Sequence, residues 1–293
     1  MNLNTLNQFR HAVYGCLTKG ADALFNKMDA LVSEPQAQSF PELSLSCFFE
    51  RQWPSLYEAF EDGRIDRTRL RQVLAAFAPL PPSNQRMWIA VDVSTIARPE
   101  STTAQDRTPI HIPNVPHSGK PMTVGWQFST VVVLPSEPSS WTYVLDSQRI
   151  ESSQTATQVA AHQLLALLAL LPQRVIVTAD RWYGSAQFLL LVAHAACDQL
   201  LRLKSNRVLY RPAPGRTGKR GAPRKDGERF HCQQESTHGT PDEQWEGTDE
   251  HGHPLVVSCW HHLHFQQARD VEVTVIKVVR PRASERKRDT KVS

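Results

Sequence analysis

The sequence predicts an α/β chain in which a helical N-terminal region precedes a layered domain built on a mixed sheet. Three observations carry this. Apolar residues in the first 75 positions recur every three or four residues (Leu6, Phe9, Val13, Leu17, then Leu24, Met28, Leu31), the period of a helix with one buried face. Beyond residue 82 the pattern changes to three short apolar runs in succession, "MWIAVDVS", "QFSTVVVL" and "WTYVLDS". After them come helix, strand, helix and strand signals in alternation, the order of a layered sheet with a crossover.

Pro35 and the Ser/Pro/Gln stretch around it break the first helical region, and "EDGRIDRTRLRQVLAAFAP" reads as a turn, an Asp66 N-cap and a further helix. "APLPPSNQ" holds three prolines in eight residues, cannot continue a helix and so serves as a linker. The first three strands are expected to be antiparallel. "SSQTATQVAAHQLLALLALL" predicts a long helix with a Ser/Thr-rich start, "RVIVTAD" a β-branched strand, Gly184 to about Ala196 a helix and "QLLRLK" a last strand. From Ser205 to about Gly252 the chain is Pro-, Gly- and Arg-rich without periodicity. Two strand-like runs then follow, "PLVVSCWHHLHF" and "VEVTVIKVV", before the charged, apolar-poor end "RPRASERKRDTKVS". The expected division is a helical, DNA-binding region over 1–82, a core over 83–204, a basic and β-rich insertion over 205–280 and a disordered tail over 281–293.

With 40% hydrophobic and 21% charged residues the composition is that of a folded globular protein. No run approaches 18 apolar residues and the start carries no secretion signal, so no membrane partner is expected and the cytoplasm is the expected location. Five scattered cysteines without a C-x-x-C pair read as reduced packing residues. Nucleotide-binding glycine motifs and the G-x-S-x-G serine signature are missing from the sequence. The histidines at 251, 253, 261, 262 and 264, with Cys259, lack zinc-ligand spacing and read as strand-edge or DNA-facing imidazoles; His262 and His264 are placed to share a strand face.

Charge is unevenly spread. Residues 1–200 hold 15 Lys+Arg against 17 Asp+Glu, whereas residues 201–293 hold 18 against 12. The stretch from Arg202 to Arg229 concentrates ten cations against Asp226 and Glu228, with Gly and Pro keeping it out of helix. Lys204, Arg207, Arg211, Arg216, Lys219, Arg220, Arg224 and Lys225 are therefore candidates for DNA phosphates, although charge runs are commonly solvated loops.

Asp92 lies inside "WIAVDVST" and Asp180 ends "RVIVTAD". If these strands run side by side, both carboxylates emerge near one sheet edge, where a divalent cation would relieve their repulsion. Oxygen ligands of this kind suit Mg²⁺ or Mn²⁺ and a phosphoryl-transfer site. The alternative is a hydrogen-bonded core or turn role for Asp92 and a helix-capping role for Asp180. Arg181 could hold a phosphate and Trp182 could stack on an exposed base, or Trp182 could be an edge-of-core ring and Arg181 a solvated group.

"VDVST" after one apolar strand, "VTADRWYGSAQFLL" after another, the helical region with "PELSLSCFFERQWPSLYEAFEDGRID", and "RLKSNRVLYRPAP" leading into a basic loop together resemble bacterial insertion-sequence transposases of the DDE superfamily. The resemblance spans most of the chain. It implies a ribonuclease-H-like mixed sheet with flanking helices, with Asp92 and Asp180 matching the first two catalytic, metal-binding acidic residues. It also implies Mg²⁺ or Mn²⁺ as cofactor, double-stranded DNA (element ends and target) as partner, a homodimer on DNA, and DNA cleavage and strand transfer as activity. The family's third acidic residue, a glutamate on a late helix, has no match: nothing after Lys277 has that form, Glu285 lacks an apolar face around it, and Glu272 alternates within a strand-like run. The chain is thus expected to be a C-terminally shortened relative. Two rival readings are a catalytically inactive DNA-binding relative and a metal-dependent phosphoesterase.

Overall fold

The computed structural model describes residues 2–112, 121–137, 139–215 and 222–280. The tail expected over 281–293, Glu285 included, and Arg216, Lys219 and Arg220 lie outside the described residues. The chain forms two compact units: Met1–Thr178 with Ala196–Gln199, and Ala179–Ala195 with Leu200–Ser293.

The first unit begins with helices α1 (Leu3–Tyr14), α2 (Ala21–Ser33), α3 (Phe40–Leu43), α4 (Trp53–Asp62) and α5 (Arg67–Ala76). Asp66 is the N-cap of α5, its carboxylate accepting the Arg69 N–H at 3.0 Å, as the sequence predicts. A two-stranded ribbon of β1 (Leu17–Lys19) and β2 (Arg64–Ile65) is additional; strands of three and two residues leave no readable periodicity. Ala30, Leu43, Phe49 and Leu56 form a small apolar core among these helices.

The main sheet contains β3 (Met87–Ala97), β4 (Thr108–His111), β5 (Met122–Val133), β6 (Tyr143–Ile150), β7 (Val175–Ala179) and β8 (Cys197–Leu201). β3 and β5 are antiparallel from Ile89↔Val133 to Ala97↔Gly125. Thr130 pairs with both Asp92 and Ser147, and Gly125 with both Ala97 and Thr108, so β4 and β6 share the edge of β5 that faces away from β3. β7 lies on the other side of β3, and β8 outside it. The order β6–β5–β3–β7–β8, with helix α6 (Ala156–Leu168) crossing between β6 and β7, is the expected ribonuclease-H-like arrangement. β4 was not anticipated, and β3 runs on to Ala97 because β5 offers it partners that far. The strand expected over "QLLRLK" sits two residues earlier, at Cys197–Leu201. Gly125 is needed where β3 and β4 close on it: a Cβ there would lie 2.1 Å from the Ile96 carbonyl oxygen.

Met87, Ile89 and Val91 alternate inward along β3, and Val131, Val133, Leu145, Val175, Val177, Val159, Leu164 and Leu167 are likewise buried. Burying each such side chain contributes roughly 1.5–3 kcal/mol. α6 starts in a capping box between Thr155 and Gln158. Asp146 on β6 ties helices to sheet, accepting from Arg71 of α5 at 3.1 Å, Gln163 of α6 at 3.1 Å and Gln148 at 2.8 Å. The Tyr143 hydroxyl donates to the Leu74 carbonyl at 2.9 Å, and burial pushes its pKa up to about 12.

The second unit holds helix α7 (Ala186–Val192) and strands β9 (Val208–Tyr210), β10 (Arg229–His231), β11 (Glu243–Thr248), β12 (Pro254–Phe265) and β13 (Ala268–Val279). β12 is central, pairing with β11, β13 and β9, and β9 with β10. The region from Ser205 to Gly252, expected to be irregular, therefore supplies three strands. They lie among Pro and Gly; β9 and β10 are ordered by the shared core of Leu209, Phe230, Trp260 and Leu263, and β11 by its ladder with β12.

Candidate functional site

Asp92 lies at the middle of β3 with an exposed side chain, and its Oδ1 accepts the N–H of Val93 at 2.8 Å. It is neither a core residue nor a turn residue. Asp180 directly follows the last residue of β7, the strand beside β3. Its Oδ1 accepts the Trp182 N–H at 2.8 Å and its carbonyl accepts the Tyr183 N–H at 3.1 Å. The aspartate therefore organises the turn that leaves the strand, in the manner of an Asx-turn. Capping of α7 falls instead to Ser185, whose hydroxyl accepts the Phe188 N–H at 3.4 Å. Among the described residues neither Asp92 nor Asp180 takes part in an ion pair.

The two aromatics after Asp180 separate. Tyr183 is buried and packs edge-on against Phe188, with ring centroids 5.2 Å apart. Trp182 is 63% exposed, and the Lys204 ammonium stands 3.3 Å from its ring centroid. That cation–π pair is worth ~0.5–2 kcal/mol and holds a cation beside the Asp180 turn. The turn is braced from behind: Ala179 accepts the Arg202 N–H at 3.1 Å, and a Cβ on Gly184 would lie 2.4 Å from the Arg202 carbonyl oxygen. Arg181 is exposed. The structure thus brings Asp180, Trp182 and Lys204 together.

The remaining basic candidates are dispersed. Arg207 is half-buried, with its Nε enclosed and lacking a hydrogen-bond partner among the described residues. Arg211 donates to the His238 carbonyl at 2.8 Å. Arg224 and Lys225 are exposed. The described parts of the segment, 202–215 and 222–229, do not form one extended track. They double back, with β9 pairing β10, Arg211 N–H donating to Glu228 O and Gly227 N–H to Arg211 O, both at 2.9 Å.

The histidines are not one cluster. His262 adopts a left-handed backbone (φ 55°) at a bulge in β12, is exposed and pairs with Glu272 at 2.8 Å. His264 is buried, with ring nitrogens 3.2 Å from the Phe265 and Arg211 carbonyls. The expectation that these two share a strand face fails because the bulge breaks the alternation. Among the described residues no three His, Cys, Asp or Glu side chains gather as a metal site. No helix among them is long and apolar enough to cross a membrane.

Sequence reasoning missed Lys204 as the partner of Trp182, since 22 positions separate them. It also missed the acidity of α2–α4, which a charge count over a shorter window reveals.

No curated protein matches the sequence. Among solved structures, the chain is similar to a piggyBac transposase in a synaptic complex with hairpin DNA, at 14% identity and a TM-score of 0.36 over 87% of this chain. It spans about half (51%) of that chain's length. The profile described as DDE superfamily endonuclease matches residues 12–255, a span that contains β3, β7, Asp92, Asp180 and the whole of the basic segment. The chain belongs to the DDE superfamily endonuclease family.

Proposed function

We propose that the chain is a DDE-type transposase that binds duplex DNA at element ends and carries out metal-dependent strand cleavage and transfer. The observation that supports this most is family membership across residues 12–255, a span in which Asp92 lies in β3 and Asp180 directly follows β7, the strand beside it. Asp92 and Asp180 fit a hard divalent cation: each carboxylate offers oxygen ligands, and each uses Oδ1 on a nearby backbone N–H. Mg²⁺ or Mn²⁺ bound there would polarise the scissile phosphate and lower the pKa of the attacking water or 3′-hydroxyl.

In this reading the chain's own groups position the DNA. Arg181 and Lys204 neutralise phosphates flanking the cut, Trp182 packs on the sugar or base beside it, and Arg207, Arg211, Arg216, Lys219, Arg220, Arg224 and Lys225 supply further phosphate contacts. Each phosphate neutralised steepens the salt dependence of binding to duplex DNA by ~0.9 in log–log slope. A homodimer on two DNA ends, acting in the cytoplasm, completes the proposal.

The test is a nicking assay on DNA carrying the cognate ends, with Mg²⁺ or Mn²⁺. Nicking by the natural chain and its loss in Asp92→Asn and Asp180→Asn, with DNA affinity retained, supports the reading. DNA binding without nicking assigns the chain to the inactive DNA-binding relatives. Metal-dependent hydrolysis of small phosphoesters without salt-sensitive DNA affinity would favour a phosphoesterase.

A further inference from the structure

Residues 20–62 carry eight carboxylates against only Lys27 and Arg51, a net of −6. Within them α4 turns an aromatic stripe to solvent. Trp53, Tyr57 and Phe60 follow at intervals of four and three and so lie along one helix face. The rings run on to Phe40 of α3: centroids are 5.9 Å apart for Trp53–Tyr57, 5.6 Å for Tyr57–Phe40 and 4.6 Å for Phe40–Phe60. Trp53 is 60% and Phe60 51% exposed. Glu61, four residues beyond Tyr57, continues the same stripe, and Glu58 beside it is also exposed.

A contiguous run of exposed rings marks a binding surface, and its charge selects the partner. Asp22, Asp29 and Asp62 are paired with Arg51, Arg10 and Lys19, so the acidity beside the rings is that of the exposed Glu58 and Glu61, which repels phosphate and argues against both duplex DNA and an anionic membrane. It differs from the residues that follow, where Arg64, Arg67, Arg69 and Arg71 stand against Asp66. Rings rimmed by carboxylates suit arginine, whose flat guanidinium stacks on an aromatic face while pairing with an acid. These rings already hold a cation from beneath: the Lys27 ammonium lies over the Phe60 ring and 5.7 Å from the centroid of Phe40.

The chain itself contains a matching ligand. Between 282 and 291 it has Arg282, Arg286, Lys287, Arg288 and Lys291 against Glu285 and Asp289. The other basic stretch, from Arg202 to Arg229, is the one the proposed function gives to DNA phosphates. We propose that the exposed α3–α4 face is a docking site for the basic stretch 282–291 of a second copy of this chain. A chain that carries both halves of a complementary pair closes into a twofold dimer with two such contacts, and the second then forms at high effective concentration. The inference goes beyond the nuclease reading and needs neither DNA nor metal.

Charge exchange tests it, read by sedimentation velocity of the full chain at low salt. The natural chain dimerises. Glu58→Lys/Glu61→Lys and Arg286→Glu/Arg288→Glu each weaken the dimer roughly tenfold or more. An equimolar mixture of the two variants recovers it, because each altered face then meets an oppositely altered stretch. Tyr57→Ala weakens the dimer without altering any charge. A natural chain that stays monomeric overturns the proposal, as does a dimer insensitive to either variant or a mixture that fails to recover. If Trp53→Ala/Tyr57→Ala reduces DNA affinity and leaves the dimer intact, the face belongs to DNA and the proposal is wrong.

Discussion

Lys27 should destabilise the fold at neutral pH, and removing its charge should strengthen it. Its side chain sits on α2 with 3% exposure, and its ammonium has no hydrogen-bond partner among the described residues. Desolvation lowers its pKa from 10.5 to about 8. At ~1.4 kcal/mol per tenfold change in proton affinity, that shift corresponds to about 3 kcal/mol against the charged, folded form. The faces of Phe60 and Phe40 return ~1 kcal/mol by cation–π attraction, which leaves about 2 kcal/mol. The sign follows from proton counting. Because the folded pKa lies below the unfolded one, the unfolded chain binds more protons between pH 8 and 10.5, and the natural chain gains stability as pH rises through that window. Lys27→Met keeps the length of the side chain and removes the charge. Urea unfolding followed by circular dichroism should show the variant more stable by about 2 kcal/mol at pH 7, with the gap closing as pH approaches 10.5. A variant less stable at pH 7, or a gap indifferent to pH, would refute the reasoning.

Three other outcomes test the second unit. Asp180→Asn keeps an oxygen for the Trp182 N–H and should leave thermal stability within ~0.5 kcal/mol, whereas Asp180→Ala should lose ~1 kcal/mol through the turn; equal melting curves would contradict the turn assignment. Gly184→Ala drives a methyl group into the Arg202 carbonyl and should cost ~1–3 kcal/mol in a denaturant titration; a neutral result would mean the contact is looser than 2.4 Å implies. The Arg269 guanidinium, donating to Asp226 at 2.7 and 2.8 Å, holds that carboxyl below the usual aspartate range. Its contribution should be present above pH 4 and lost as pH falls below it, so Asp226→Asn should flatten the acid limb of the stability curve.

The legibility of this chain follows the range of the forces involved. Helix caps and periodic faces are local, and so Asp66, Thr155 and the run "RVIVTAD" could be read directly, as could the order of strands around α6. Asp92 and Asp180 stand out in the sequence because each carboxylate interrupts or ends an apolar run. Their neighbourhoods do not. That Trp182 stays exposed while Tyr183 goes inward, and that Lys204 covers the indole, depend on where the rest of the fold arrives, Lys204 from 22 positions away.

The sequence by itself therefore determined the α/β class, the helical start and the positions of Asp92 within one strand and Asp180 just after another, since each rests on propensity or period within a dozen residues. Tertiary structure alone decided the strands hidden in the Pro- and Gly-rich segment and the parting of His262 from His264 at a bulge. It alone brought Phe40 of α3 against the Tyr57 and Phe60 rings of α4. In these cases the stabilising contacts are between residues distant in sequence, and no local pattern encodes a contact whose partner is supplied by the rest of the fold.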